Sequence, residues 1–225
     1  MYTSVIFDLD GTLLDTVSDL AEATNKALVD LGFLARNEEN YNRYLGDGVY
    51  NLMIRVLNDQ PAHLRPSKDR YETLVPELVS KQKFYYKDLW QNHTKPYKNI
   101  IPLIHALKAS GAKIGVVSNK PHKFAVLMTE HFFKSGTFNT ILGHKDNVPV
   151  KPAPDALFSA INTLNIDKDS LLYVGDTDTD MKTATNAGVA SVGVTWGFRS
   201  EQELRENNAH FIVHDPMKIL DLYLG

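Results

Sequence analysis

From Ile100 onward, short apolar runs alternate with segments of helical spacing, and this alternation restricts the fold more than any other feature. Helical patterns over Ile100–Ser110, Pro121–Phe133, Pro154–Leu164 and Asp178–Ala187 are each followed by a strand-like run: Lys113–Ser118, Phe138–Leu142, Leu171–Val174 and Ala190–Thr195. Strands joined through helices pair in parallel and need helices on both faces to cover them. The apolar run Ser4–Asp8 belongs to the same sheet, although a long segment separates it from the other strands. That segment, from about Val17 to Leu89, has helical spacing only. Val17, Leu20, Ala21, Thr24, Ala27, Leu28 and Leu31 mark one stripe that closes at Gly32. Val49, Leu52, Met53, Val56 and Leu57 mark a second, after Gly46-Asp47-Gly48. Tyr71, Leu74, Val75, Leu78, Val79, Gln82 and Tyr86 mark a third, in which Pro76 predicts a kink or a division into two helices. The expected architecture is α/β: a doubly wound parallel sheet of residues 1–14 and 92–225, with an all-helical domain, residues 15–91, inserted after the first strand.

A length of 225 residues suits one large domain or a core with a smaller insert. Charge is scattered and nets to −3, which points away from nucleic acid and membrane surfaces. Cysteine is absent, so disulfides, thiolate metal sites and cysteine nucleophiles are excluded together. The chain enters its first strand without a basic leader or cleavage site, and no run approaches the ~18 apolar residues of a membrane span. A cytoplasmic protein is expected, a monomer or a homodimer.

The chemistry gathers first at Asp8-Leu9-Asp10-Gly11-Thr12, directly after Val5-Ile6-Phe7. Side chains at i and i+2 leave a strand on the same side, so Asp8 and Asp10 project together where Gly11 ends it. Two carboxylates that close repel unless a cation lies between them or one is protonated. The pair suits a hard metal ion, a nucleophile and a proton shuttle placed side by side.

This segment resembles the first signature of the haloacid dehalogenase-like hydrolases. Three later segments match the other signatures in order: Val116-Val117-Ser118-Asn119, Lys151-Pro152 with Pro154, and Val174-Gly175-Asp176 through Asp180. The resemblance runs from Ser4 to about Asp215. It implies a Rossmann-like core, with the helical insert serving as a cap that closes over the substrate. In an open parallel sheet, ligands sit beyond the carboxyl ends of the strands, and all four signatures fall at such ends or in the following loop.

The implied reaction is phosphoryl transfer, in which positioning and electrostatic stabilisation do most of the catalysis. Asp8 attacks phosphorus and forms an aspartyl-phosphate. Asp10 protonates the leaving alkoxide and later deprotonates the hydrolytic water. Mg²⁺, bound by Asp8, Asp176 and the Asp10 backbone carbonyl, screens the approach of two anions. Lys151 adds fixed positive charge, and Ser118 donates to the phosphoryl oxygens, with Gly11, Thr12 and Asn119 lining the same group. Asp180 supports the lysine or the metal's surroundings, while Asp178 is expected to face solvent. The eight histidines form no close ligand pair. Dehalogenases of the superfamily lack an acid at the position of Asp10, so dehalogenation is not expected here.

Within the insert, Leu45-Gly46-Asp47-Gly48 opens a helix, where Gly46 and Gly48 permit close backbone approach to an anion. Arg43 and Arg55 are candidates for pairing a substrate carboxylate. Together with Thr195-Trp196-Gly197-Phe198-Arg199, this segment resembles the phosphoglycolate phosphatase branch. The expected partner is therefore a small phosphorylated metabolite, phosphoglycolate foremost. Pyrophosphate, nucleotides, sugar phosphates and β-phosphoglucomutase-like phosphotransfer stay open.

Overall fold

The computed structural model describes residues 1–225. The chain forms two compact units, Met1–Asp15 with Pro96–Gly225, and Thr16–Lys95. The first unit contains β1 (Ser4–Phe7), β4 (Lys113–Pro121), β5 (Thr140–His144), β6 (Leu171–Gly175), β7 (Ala190–Val194) and β8 (Phe211–Val213). These strands form one sheet in the order β5-β4-β1-β6-β7-β8, and every pairing is parallel. Its helices are α5 (Ile100–Ala109), α6 (His122–Phe133), α7 (Asp155–Leu164), α8 (Asp178–Ala187), α9 (Glu201–Glu206) and α10 (Met217–Leu224). The short strands β2 (Leu14–Asp15) and β3 (Lys95–Pro96) pair where the chain passes between units.

The doubly wound α/β architecture is the one the alternation implies. β1 is buried along its whole length, with β4 on one side and β6 on the other. The chain builds outward through β4 and β5, then returns across β1 to β6, β7 and β8, so the order reverses beside β1. One face of the sheet packs Ile6, Val117, Leu171 and Tyr173 against Leu157, Ala160, Ile161 and Ala184 of α7 and α8. The strand expected over Phe138–Leu142 begins two residues later. Phe138 leaves the ladder to pack edge-on against Phe133, and the Asn139 side chain accepts from the Ile114 N–H at 2.9 Å. The sequence reading did not anticipate β8, α9 and α10; the three residues of β8 are too few to show a period.

The second unit is helical: α1 (Val17–Asp30), α2 (Tyr41–Tyr44), α3 (Gly48–Asn58) and α4 (Tyr71–Leu89). α1 and α3 both pack on α4, around buried Leu28, Met53, Leu57 and Leu78. Gly32, at φ 80°, ends α1; its N–H reaches the Val29 carbonyl and the Phe33 N–H reaches Leu28, the Schellman pattern. Pro76 does not divide α4, which runs unbroken from Tyr71 to Leu89. The carbonyl that Pro76 leaves unpaired belongs to exposed Glu72 in the first turn, where water can satisfy it. Buried Asp19 ties the ends of this unit together by accepting from the His93 and Thr94 N–H groups and the Thr94 hydroxyl.

Candidate active site

Asp8 follows β1, Ser118 to Lys120 close β4, Lys151 lies beyond β5, Asp176 follows β6 and Trp196 follows β7. All stand beyond the carboxyl edge, beside the point where strand order reverses, which is where parallel sheets bind ligands. Lys151 is the hub. Its ammonium donates to Asp8 Oδ1 at 2.8 Å and to Asp180 Oδ1 at 2.7 Å, with the Val117 carbonyl at 3.4 Å. Burial opposes its charge, yet the Asp180 and Asp8 carboxylates hold the ammonium well above the usual lysine range.

Asp180 is fully committed. Besides Lys151, its Oδ1 accepts from the Tyr173 hydroxyl at 3.1 Å, while Oδ2 accepts from the Thr177 N–H and hydroxyl. Thr177 returns the bond by accepting from the Asp180 N–H, a reciprocal cap at the start of α8. Asp180 is thus a clamp on Lys151. Asp178, expected to face solvent, is half-buried instead and pairs with Lys182 at 2.6 Å and, more distantly, with Arg199.

The carboxylates of Asp8, Asp176 and Asp180 lie within 4.8 Å of one another, all buried. Burial pushes Asp8 up to about 6, with the Asp180 charge reinforcing it and Lys151 opposing. Burial, then the Asp180 and Asp8 charges, drives Asp176 well above the ordinary carboxylate range. Such groups resist ionisation until a cation joins them, and a buried carboxylate cluster of this kind could hold a metal ion. The Asp10 carboxylate lies apart from this cluster. The buried Lys120 ammonium grips both its oxygens, at 2.9 and 3.1 Å. Lys120 escaped the sequence reading. Its place two residues after Ser118, matching the Asp8 to Asp10 step in the adjacent strand, was the available signal.

Several expected phosphate contacts are engaged elsewhere. The Gly11 N–H bonds the Leu14 carbonyl and the Thr12 N–H bonds Leu9, closing the turn after the first strand. The Thr12 hydroxyl donates to Asp176 Oδ1 at 2.8 Å. Gly11 has φ 87°, and any Cβ there would overlap the Asp176 carboxylate. Gly11 and Thr12 are thus fitted closely to Asp176. Asn119 likewise holds Lys151, donating to its carbonyl at 3.1 Å and accepting its N–H at 2.8 Å. Ser118 Oγ accepts the Lys120 N–H at 3.3 Å, which leaves its own proton to donate.

In the helical unit, Gly46 and Gly48 both adopt positive φ, 115° and 85°, around Asp47. Arg55 pairs with Asp47 and donates to the Tyr44 carbonyl, fastening this turn to α3. Arg43 pairs with Asp59 at 2.9 Å. Each arginine, a candidate for a substrate carboxylate, thus pairs with a carboxylate of its own unit.

The haloacid dehalogenase-like hydrolase family matches residues 5–194. A phosphoglycolate phosphatase of Aquifex aeolicus is 32% identical over 194 residues, covering 86% of this chain and 85% of its own length. One from Neisseria gonorrhoeae is 35% identical over 195 residues, covering 87% and 80%. A crystal structure from Lactobacillus delbrueckii, provisionally designated a phosphoglycolate phosphatase, superposes with a TM-score of 0.89 at 32% identity, covering 100% and 99%. The chain belongs to the haloacid dehalogenase-like hydrolases.

Proposed function

We propose that this chain is a Mg²⁺-dependent phosphatase that hydrolyses phosphoglycolate, or a small phosphate monoester like it, through an aspartyl-phosphate on Asp8. The carrying observation is the Asp8 carboxylate, buried beside Lys151 and Asp176 at the reversal of strand order. The relatives' names direct the substrate choice.

Asp8 attacks phosphorus, and a P–O bond to Asp8 forms as the ester P–O bond breaks. Asp10 gives its proton to the departing alkoxide. Water then attacks the same phosphorus, Asp10 takes its proton, and the bond to Asp8 breaks to release phosphate. Lys151 and the Ser118 hydroxyl stabilise charge on the phosphoryl oxygens. Asp8, Asp176 and the Asp10 carbonyl would hold Mg²⁺, which screens the anionic nucleophile from the anionic ester. Residues 15–91 act as a cap, in which Gly46 and Gly48 meet the part of the substrate that does not react.

A panel of phosphate esters with purified protein and Mg²⁺ tests this reading. Phosphoglycolate should give the highest kcat/KM. Asp8→Asn should lower turnover by ~10⁴-fold or more while preserving the fold, as expected for loss of a nucleophile. Wild-type rates in that variant would reject the mechanism, and a clear preference for another ester would reject the substrate.

A further inference from the structure

The segment Trp196-Gly197-Phe198 reaches Asp176 by two routes. Directly, the Phe198 N–H donates to Asp176 Oδ2 at 2.8 Å. Indirectly, the Trp196 indole N–H donates to the Thr12 carbonyl at 3.0 Å, and the Thr12 hydroxyl donates to Asp176 Oδ1 at 2.8 Å. Between them Gly197 lies so close that any Cβ would overlap both the Asp176 side chain and the Gly11 carbonyl. Asp176 and Thr12 are both fully buried, so water does not compete for these bonds.

Each Asp176 oxygen thus receives one protein donor, which sets the plane of the carboxylate. An ionised carboxylate has about four acceptor sites, so both oxygens keep capacity for a cation. We propose that Thr12, Trp196 and the Phe198 N–H position Asp176, fixing its orientation toward a divalent ion shared with Asp8. This rests on the reading of Asp176 as a metal ligand. Hydrogen bonds behind a metal ligand commonly govern affinity by ~10–100-fold, because an unrestrained ligand must be ordered when the ion binds.

Mn²⁺ binding to the full chain without substrate, followed by electron paramagnetic resonance, tests the assignment without relying on turnover. Thr12→Val removes the donor to Oδ1, and Trp196→Phe removes the donor to the Thr12 carbonyl. Both should bind Mn²⁺ ~10–100-fold more weakly than wild type. Thr12→Ser keeps the hydroxyl and should bind close to wild type. Metal-free thermal unfolding of each variant identifies any that fail to fold, and Trp196→Phe carries the test if Thr12→Val is lost. Wild-type Mn²⁺ affinity in Trp196→Phe, or equal losses in Thr12→Ser and Thr12→Val, would overturn the proposal. Asp176→Asn separates the two claims. If it loses Mn²⁺ while the positioning variants do not, Asp176 remains a ligand and its positioning by this segment is rejected. If Asp176→Asn binds Mn²⁺ like wild type, the ligand reading fails and the proposal with it.

Discussion

Asp8 and Asp176 in the α/β unit are held toward their protonated forms, whereas Asp59 in the helical unit is held toward its charge. Burial dominates at the first two, and the Lys151 ammonium is shared between Asp8 and Asp180. Asp59 is partly exposed, accepts the Tyr44 hydroxyl at 2.5 Å, and has Arg43 and Arg36 beside it. In the helical unit Arg36, Arg43 and Arg55 each pair with Asp59 or Asp47. At the carboxyl edge of the sheet Asp8, Asp10, Asp176 and Asp180 stand beside only Lys120 and Lys151, and crowding of carboxyl groups with shifted protonation is characteristic of functional sites.

Changes at the carboxyl edge should therefore act on turnover, and the largest of the remaining effects is expected at Asp10. Asp10→Asn should slow both formation and hydrolysis of the intermediate by ~10²–10⁴-fold, measurable by single-turnover kinetics. Lys120→Met should follow with a loss on the order of 10–100-fold, because the Asp10 carboxyl loses the ammonium that fixes the position of both its oxygens. The loss should be greater for alkyl esters, whose leaving group needs a proton, than for nitrophenyl phosphate. Equal losses for both would show that Lys120 only packs.

The same contrast explains what could be read from the sequence. Asp8 and Asp176 sit at strand ends, where period and punctuation locate a residue before any contact is known, and Lys151 lies among prolines in the loop after β5. The division of labour among their neighbours was hidden. Thr12 and Asn119 carry side chains that could equally meet a phosphate, and only the folded geometry turns them to Asp176 and to the Lys151 backbone. The Lys120 contact was hidden too, because its ammonium is buried on Asp10, 110 residues away in sequence. The pairing of Arg43 and Arg55 inside the helical unit was hidden as well. Their partners, Asp59 and Asp47, lie 16 and 8 residues away, beyond the i+4 spacing that a helix makes visible.

If the helical unit acts as a cap, a change there should alter discrimination between substrates more than chemistry. Gly48→Val places a branched side chain at φ 85° and strains the turn that opens α3. It should lower kcat/KM for phosphoglycolate by on the order of tenfold more than for nitrophenyl phosphate, which has no carboxylate to place. Parallel losses on the two esters would remove this turn from the substrate site.

The smallest effect is in stability, where the two units should respond to pH with opposite sign. In metal-free protein, Asp8 titrates near 6 when folded and near 3.8 when unfolded, so the native state binds the extra proton between those values. Its contribution to stability therefore declines as pH rises from about 4 to 6, and Asp8→Asn should remove that slope. Asp59, held below its ordinary value by Tyr44 and the arginines, contributes above its unfolded value and loses that contribution as pH falls below it. Because Asp59 is partly exposed, its share should stay under about 1 kcal/mol, and Arg43→Ala should cost no more than this at neutral pH. Urea unfolding of metal-free wild type, Asp8→Asn and Arg43→Ala at pH 3.5, 5 and 7 separates the slopes. A wild-type-like slope in Asp8→Asn would show that the buried negative charge is relieved by groups other than Asp8, and the contrast between the units would then rest on Asp176 alone.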